Sequence, residues 1–97
     1  MPRKGKNLVY AVKISRHWAR KLKVLPTEVQ DLFELLVEDL HEKGPFRTEW
    51  PNYSPLKNDY YHCHLNRNWV AVWEWKTESI VIRVEYVGNR GKAPYAK

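Results

Sequence analysis

The sequence predicts one α+β domain over residues 1–97: a strand and two helices, then a three-stranded antiparallel meander. The sheet is expected to be small and mixed or antiparallel, with both helices packed on one face. Three observations predict this. Val29, Leu32, Phe33, Leu36, Val37 and Leu40 recur at three- and four-residue spacings, the period of an amphipathic helix. The last third alternates apolar and polar residues in runs separated by short turn-forming segments. Finally, 97 residues bury a single core and little more, so helices and strands must share it.

Met1 to Asn7 is a basic arm, expected to fray at its start. Leu8 to Ile14 reads as the first strand, with Leu8, Tyr10, Val12 and Ile14 on one face. Ser15 is placed to cap a short helix to about Lys23, with Trp18 and Leu22 four apart on one side. Leu25-Pro26 ends that segment, because the residue before proline is driven out of helical geometry. Thr27-Glu28-Val29-Gln30 matches a capping box that would open the amphipathic helix. Gly44-Pro45 closes it. Pro45 to Asp59, with three prolines, is expected to lack regular structure.

Two hairpins follow. Asn66-Arg67-Asn68 predicts a three-residue turn that sets Leu65 opposite Trp69. Thr77-Glu78 predicts a two-residue turn pairing Lys76 with Ser79. In these registers Tyr61, Cys63, Leu65, Trp69, Ala71, Trp73, Trp75, Ile80, Ile82, Val84 and Tyr86 share one apolar face, to be covered by the helices. The other face then carries two rows: His64, Val70 and Glu85, and His62, Val72 and Arg83.

The net charge is +6, and its excess is concentrated early, in Arg3, Lys4, Lys6, Lys13, Arg16, Arg20, Lys21 and Lys23. Such a concentration favours a polyanionic partner. A single cysteine, Cys63, rules out an internal disulfide and fits a reducing compartment. No apolar run is long enough for a membrane span, and the basic start lacks the pattern of a signal peptide, so the expected location is cytoplasmic.

Imidazole titrates near neutrality, so His62 and His64 on one strand face suit proton transfer beside a phosphate. Arg83 and Arg90 would supply charge to the phosphoryl oxygens, and Tyr95 a hydroxyl or a stacking ring. No metal or other cofactor is expected: Cys63 points away from the two histidines, and His17 and His41 lie on the helices. Trp69, Trp73 and Trp75 fall on the apolar face, where packing accounts for them. Trp50, in the long connection, is expected to cover the core's edge.

From Leu8 to Tyr95 the chain resembles the RelE/ParE toxin superfamily of bacterial toxin–antitoxin operons. The resemblance rests on Trp18-Ala19-Arg20-Lys21-Leu22-Lys23-Val24-Leu25-Pro26, which is similar to the basic first helix and its Leu-Pro exit. It rests also on Tyr61-His62-Cys63-His64-Leu65 with Trp69-Val70-Ala71-Val72-Trp73, similar to the central hairpin. Val84-Glu85-Tyr86-Val87-Gly88-Asn89-Arg90, running to Tyr95, resembles the closing strand and its tail. The RelE branch implies a ribonuclease that cuts mRNA in the decoding site of the ribosome and is held in check by a cognate antitoxin. His62 and His64 fall where some members carry lysines, and Arg90 and Tyr95 at the tail arginine and tyrosine. The chain departs at Val70, where several members place a catalytic arginine; Arg83 or Arg67 would have to compensate. Lys13, Arg16, Arg20, Lys23 and Arg67 would contact rRNA phosphates without choosing sequence. The ParE branch implies instead a non-catalytic inhibitor of DNA gyrase, and an inactive toxin homologue is a third form of the same fold.

Overall fold

The structure, a computed structural model, describes residues 9–94; the basic arm, Leu8 and Tyr95 lie outside that range. Strand β1 (Ala11–Ile14) leads into helix α1 (Arg16–Leu22) and helix α2 (Thr27–Lys43). Strands β2 (Ser54–Pro55), β3 (Tyr60–His64), β4 (Trp69–Trp75) and β5 (Val81–Asn89) follow, with a closing 3-10 turn at Arg90–Lys92. The five strands form one mixed sheet in the order β1-β5-β4-β3-β2, parallel only between β1 and β5.

Ser15 caps α1 as expected, its hydroxyl accepting from the Trp18 amide at 3.2 Å. The expected capping box on α2 does not form. Thr27 already lies inside the helix, Pro26 occupies the capping position, and no side chain caps it. Gln30 instead donates to the Leu25 and Lys23 carbonyls at 2.8 and 3.3 Å. Those carbonyls follow the end of α1, where acceptors lack helical partners, so Gln30 pins the turn between the helices. Gly44 ends α2 with φ +94°, its amide donating to the Leu40 carbonyl at 3.0 Å.

The core lies between α2 and the sheet. Val29, Phe33, Leu36 and Leu40 pack against Cys63, Leu65, Ala71, Trp73, Ile82, Val84 and Val87. Trp73 is 0% exposed, and its indole N–H donates to the Pro45 carbonyl at 3.2 Å. Helix α1 has no fully buried residue: Leu22 packs against the core's margin and Trp18 edge-to-face on Tyr86.

The strands depart from the expected pattern in three places. The edge strand β2 forms inside the segment expected to be irregular; Pro55 is tolerated there because an edge strand leaves amides unpaired. The first strand begins at Ala11, since the Val9 and Tyr10 amides both donate to the His41 carbonyl instead of to a strand. The first hairpin keeps its register, with the Leu65 amide donating to the Trp69 carbonyl at 2.7 Å. The second does not. Its turn exists, Ser79 donating to the Lys76 carbonyl at 2.9 Å, but Trp75 pairs with Ile82 rather than Ile80. A bulge beyond Trp73 then shifts the pairing once more, to Val72 with Tyr86. Ile80 is therefore 64% exposed, and Tyr86 leaves the core face, where Val87 replaces it.

Candidate functional site

The two rows on the second face change with that register. His64 neighbours Val70, which neighbours Gly88; His62 neighbours Val72, which neighbours Tyr86. Glu85 leaves the His64 row and Arg83 leaves the His62 row. Arg83 lies one row further along, opposite Glu74 on one side and Lys13 on the other. Two displacements produce this: the second hairpin pairs Trp75 with Ile82, two residues on from the expected Ile80, which carries Arg83 opposite Glu74, and the bulge beyond Trp73 then adds one more residue to β5, leaving Glu85 without a partner in β4.

His62 and His64 do share a face, their ring centroids 6.0 Å apart. Each is only 8% exposed, so the face is not an open one. The chain after β5 turns back over it: Ala93 is buried, and Pro94 lines a cavity together with Val72. On the other side the edge strand supplies partners. Ser54 Oγ lies 3.3 Å from His62 Nδ1, and Asn52 Nδ2 lies 3.5 Å from His64 Nε2. Asn52 takes the left-handed conformation, φ +55°, tolerated by asparagine better than by most residues.

Burial lowers the His62 pKa below its ordinary value, with a hydrogen bond to the Ser54 backbone acting against it and His64 adding to the lowering. His64 is lowered by burial first and by the Arg90 guanidinium second. Both shifts favour the neutral imidazole, the state in which histidine accepts a proton. Arg90 opens the 3-10 turn, its amide donating to the Asn68 carbonyl at 2.7 Å, so the first hairpin's turn and the tail are joined beside His64. Asn89 caps the turn through its side chain, accepting from the Gly91 amide at 2.8 Å.

A cavity of about 450 Å³ opens next to His62, lined by Leu56, Lys57, Tyr60, Val72, Glu85 and Pro94. Lys13, Arg16, Arg20, Lys23 and Arg67 are all exposed. Arg67 sits in the hairpin turn, and the other four follow β1 into α1 and its end. Cys63 is fully buried and its thiol is pushed far up by that burial, which makes it inert. No group of three potential metal ligands occurs among the described residues. Nor is any helix there long and apolar enough to cross a membrane.

No protein-family model matches the sequence, and no curated protein matches it. Solved structures do. The archaeal RelE–RelB complex from Pyrococcus horikoshii OT3 aligns with a TM-score of 0.69 at 20% identity, over 88% of this chain and 99% of that one. A double arginine-to-alanine mutant of the E. coli toxin RelE in the free state aligns at 0.68 and 16% identity, over 91% and 90%. The fold is that of the RelE toxins. The RelBE2 toxin–antitoxin complex of Mycobacterium tuberculosis aligns over 84% of this chain and 98% of that one, at 0.63 and 18%. Identities this low carry the RelE-like fold and not an activity.

Within this RelE-like fold, His62, His64 and Arg90 come together, Arg67 lies in the turn whose Asn68 bonds the Arg90 amide, Arg83 stands one row apart, and Tyr95 is outside the described residues. Sequence reasoning missed Asn52 and Ser54, because nothing in Tyr53-Ser54-Pro55-Leu56 has a strand's alternation. It also missed that Tyr60 and Glu85, on strands separated by β4, line one cavity.

Proposed function

We propose that this chain is the toxin of a toxin–antitoxin pair, a metal-independent endoribonuclease that cleaves mRNA on the ribosome in the cytoplasm and is neutralised by a cognate antitoxin. The observation that carries the reading is the pair of imidazoles, 6.0 Å apart on one strand with Arg90 beside His64, in a chain with the RelE-like fold.

In this reading His64, kept neutral by burial and by Arg90, removes the proton from the 2′-hydroxyl. The 2′-oxygen attacks the adjacent phosphorus and the bond to the 5′-oxygen breaks, leaving a 2′,3′-cyclic phosphate. His62 protonates the departing 5′-oxygen; its hydrogen bond to the Ser54 backbone favours the cationic form, and an incoming phosphate favours it further. Arg90 balances the charge that grows on the phosphoryl oxygens. Tyr95, at the tail, completes the set as a stacking ring or a hydroxyl. Arg83 and Arg67 act further out, on the RNA backbone, with Lys13, Arg16, Arg20 and Lys23 on the rRNA side.

One observation favours a second reading. Val70, beside His64, is fully buried where several RelE members carry a catalytic arginine, and a gyrase-binding ParE-like inhibitor would need no such residue. Purified chain mixed with mRNA-programmed ribosomes separates the two. Cleavage within the ribosome-bound message, slowed about 10²–10⁴-fold by His64→Gln, is the expected result. Absence of cleavage together with inhibition of gyrase supercoiling would replace the nuclease with the inhibitor.

A further inference from the structure

Glu85 occupies an unusual place. In β5 the neighbours Val84 and Tyr86 pair with Trp73 and Val72, which are consecutive in β4, so Glu85 is the extra residue of the bulge. Bulges re-aim side chains, and this one brings Glu85 to the wall of the cavity beside His62. It is half-buried there and makes no ion pair among the described residues.

A carboxylate in that position is a poor neighbour for RNA phosphate. Carboxylate oxygens only accept hydrogen bonds, so Glu85 suits a ligand that presents N–H or O–H donors. The remaining lining fits a flat, largely apolar ligand: Leu56, Val72 and Pro94 are apolar, Tyr60 offers a ring, and Lys57 is exposed at the mouth. Its volume, about 450 Å³, falls within the usual range for small-ligand sites. Single-stranded RNA is read in this manner, by stacking an unpaired base on an aromatic ring and bonding its Watson–Crick edge.

We propose that the cavity lined by Tyr60, Val72 and Glu85 is a guanine-selective base pocket, Tyr60 stacking on the base and Glu85 reading its edge. Among the four RNA bases only guanine presents two adjacent N–H donors there, N1–H and the 2-amino group, which match the two oxygens of one carboxylate. Adenine and cytosine set an acceptor beside their single donor, and uracil flanks its own with two carbonyls; each would face a carboxylate with a lone pair. Tyr60 lies two residues from His62 on the same side of β3, about 7 Å along the strand. The pocket therefore holds the base of a nucleotide adjoining the cleaved linkage, and Lys57 meets its phosphate. The proposal rests on the histidine face being an RNA-cleaving site.

The test is a titration of the purified full-length chain with GMP, AMP, CMP and UMP, followed by amide chemical shifts. GMP should bind at least about 5-fold more tightly than the others, the lower end of what a bidentate edge contact discriminates. Its shifts should centre on Tyr60, Val72 and Glu85. Glu85→Gln, with spectral dispersion unchanged, should erase the preference, while Tyr60→Leu should weaken all four nucleotides and keep their order. Equal binding of the four, a guanine preference that survives Glu85→Gln, or no shift with any nucleotide at millimolar concentration would overturn the proposal. Mononucleotide binding needs no cleavage. Lost cleavage with the guanine preference intact therefore sinks the nuclease reading alone, and equal binding with intact cleavage sinks the pocket alone.

Discussion

Replacing Trp73 with alanine tests the register on which the histidine face depends. Trp73 is the largest fully buried side chain, set between α2 and the inner face of β4, and the same strand presents Val70 and Val72 to the other face. Emptying such a site costs about 3–5 kcal/mol. The Pro45 carbonyl, buried and bonded to the indole N–H, loses its donor and adds about 1 kcal/mol. The total, about 4–6 kcal/mol, approaches the whole stability of a small domain, about 5–15 kcal/mol. At about 4–8 °C per kcal/mol, the melting temperature followed by circular dichroism should fall by at least about 15 °C. Trp73→Phe keeps most of the packing and loses the hydrogen bond, so its drop should be about 5–10 °C. A Trp73→Ala protein melting within a few degrees of the parent would place Trp73 outside the core and remove the basis for putting His62 and His64 on the opposite face.

Three further outcomes follow from other parts of the molecule. Because burial lowers the His62 and His64 pKa values, the unfolded chain binds protons more readily than the folded one, and stability should decline as pH falls from about 6.5 toward the lowered folded values; urea midpoints across that range should flatten in the His62→Gln, His64→Gln double variant. Charge reversal at the exposed Arg16 and Arg20 should weaken ribosome association in sedimentation at low salt. It should also make the log–log salt dependence shallower by about one for each phosphate that the variant no longer neutralises. Gly44→Ala should cost more than the roughly 1–3 kcal/mol of its glycine-only backbone, read as a lowered melting temperature, since the added Cβ would meet the Tyr10 ring at 2.8 Å.

The helices were legible because each carries its own signal. The stripe from Val29 to Leu40, Ser15 before Trp18, and Gly44 after Lys43 depend on spacing within one segment. The first hairpin was legible for a similar reason: Asn66 Oδ1 accepts from the Asn68 and Trp69 amides, a local bond that fixes the register through the turn itself. Register in the second hairpin is set elsewhere. Ile80 is drawn out of line because its carbonyl accepts from the Ala11 amide of the parallel edge strand, a bond between distant parts of the chain. The bulge, the edge strand and the returning tail are likewise tertiary. His62, His64 and Arg90 stood out as candidates because their side-chain chemistry is unusual, whereas Ser54 and Asn52 are ordinary residues whose contacts with the two imidazoles exist only where the chain through β2 lies beside β3.

The burial of the site bears on how it divides its labour. Val70 is 0% exposed between His64 and Gly88, so the middle of this face has apolar contacts and no guanidinium of its own. In the proposed nuclease reading, positive charge for a phosphorane then arrives from one side, from Arg90 on the tail turn. That same placement favours the neutral form of His64, the form able to take up a proton, because a cation nearby disfavours a second one. His62 stands further along the strand with Ser54 against its ring, so the pair is differentiated although the two residues are chemically identical. Lysines at these two positions would be cationic at neutral pH and could stabilise charge, but they would be poor acceptors of a proton. Histidines reverse that balance: they move protons and leave the charge to arginine. Under the proposed reading, the absence of an arginine at Val70 and the presence of two imidazoles on β3 are one arrangement, in which proton transfer is kept in the sheet and charge stabilisation is carried by the tail.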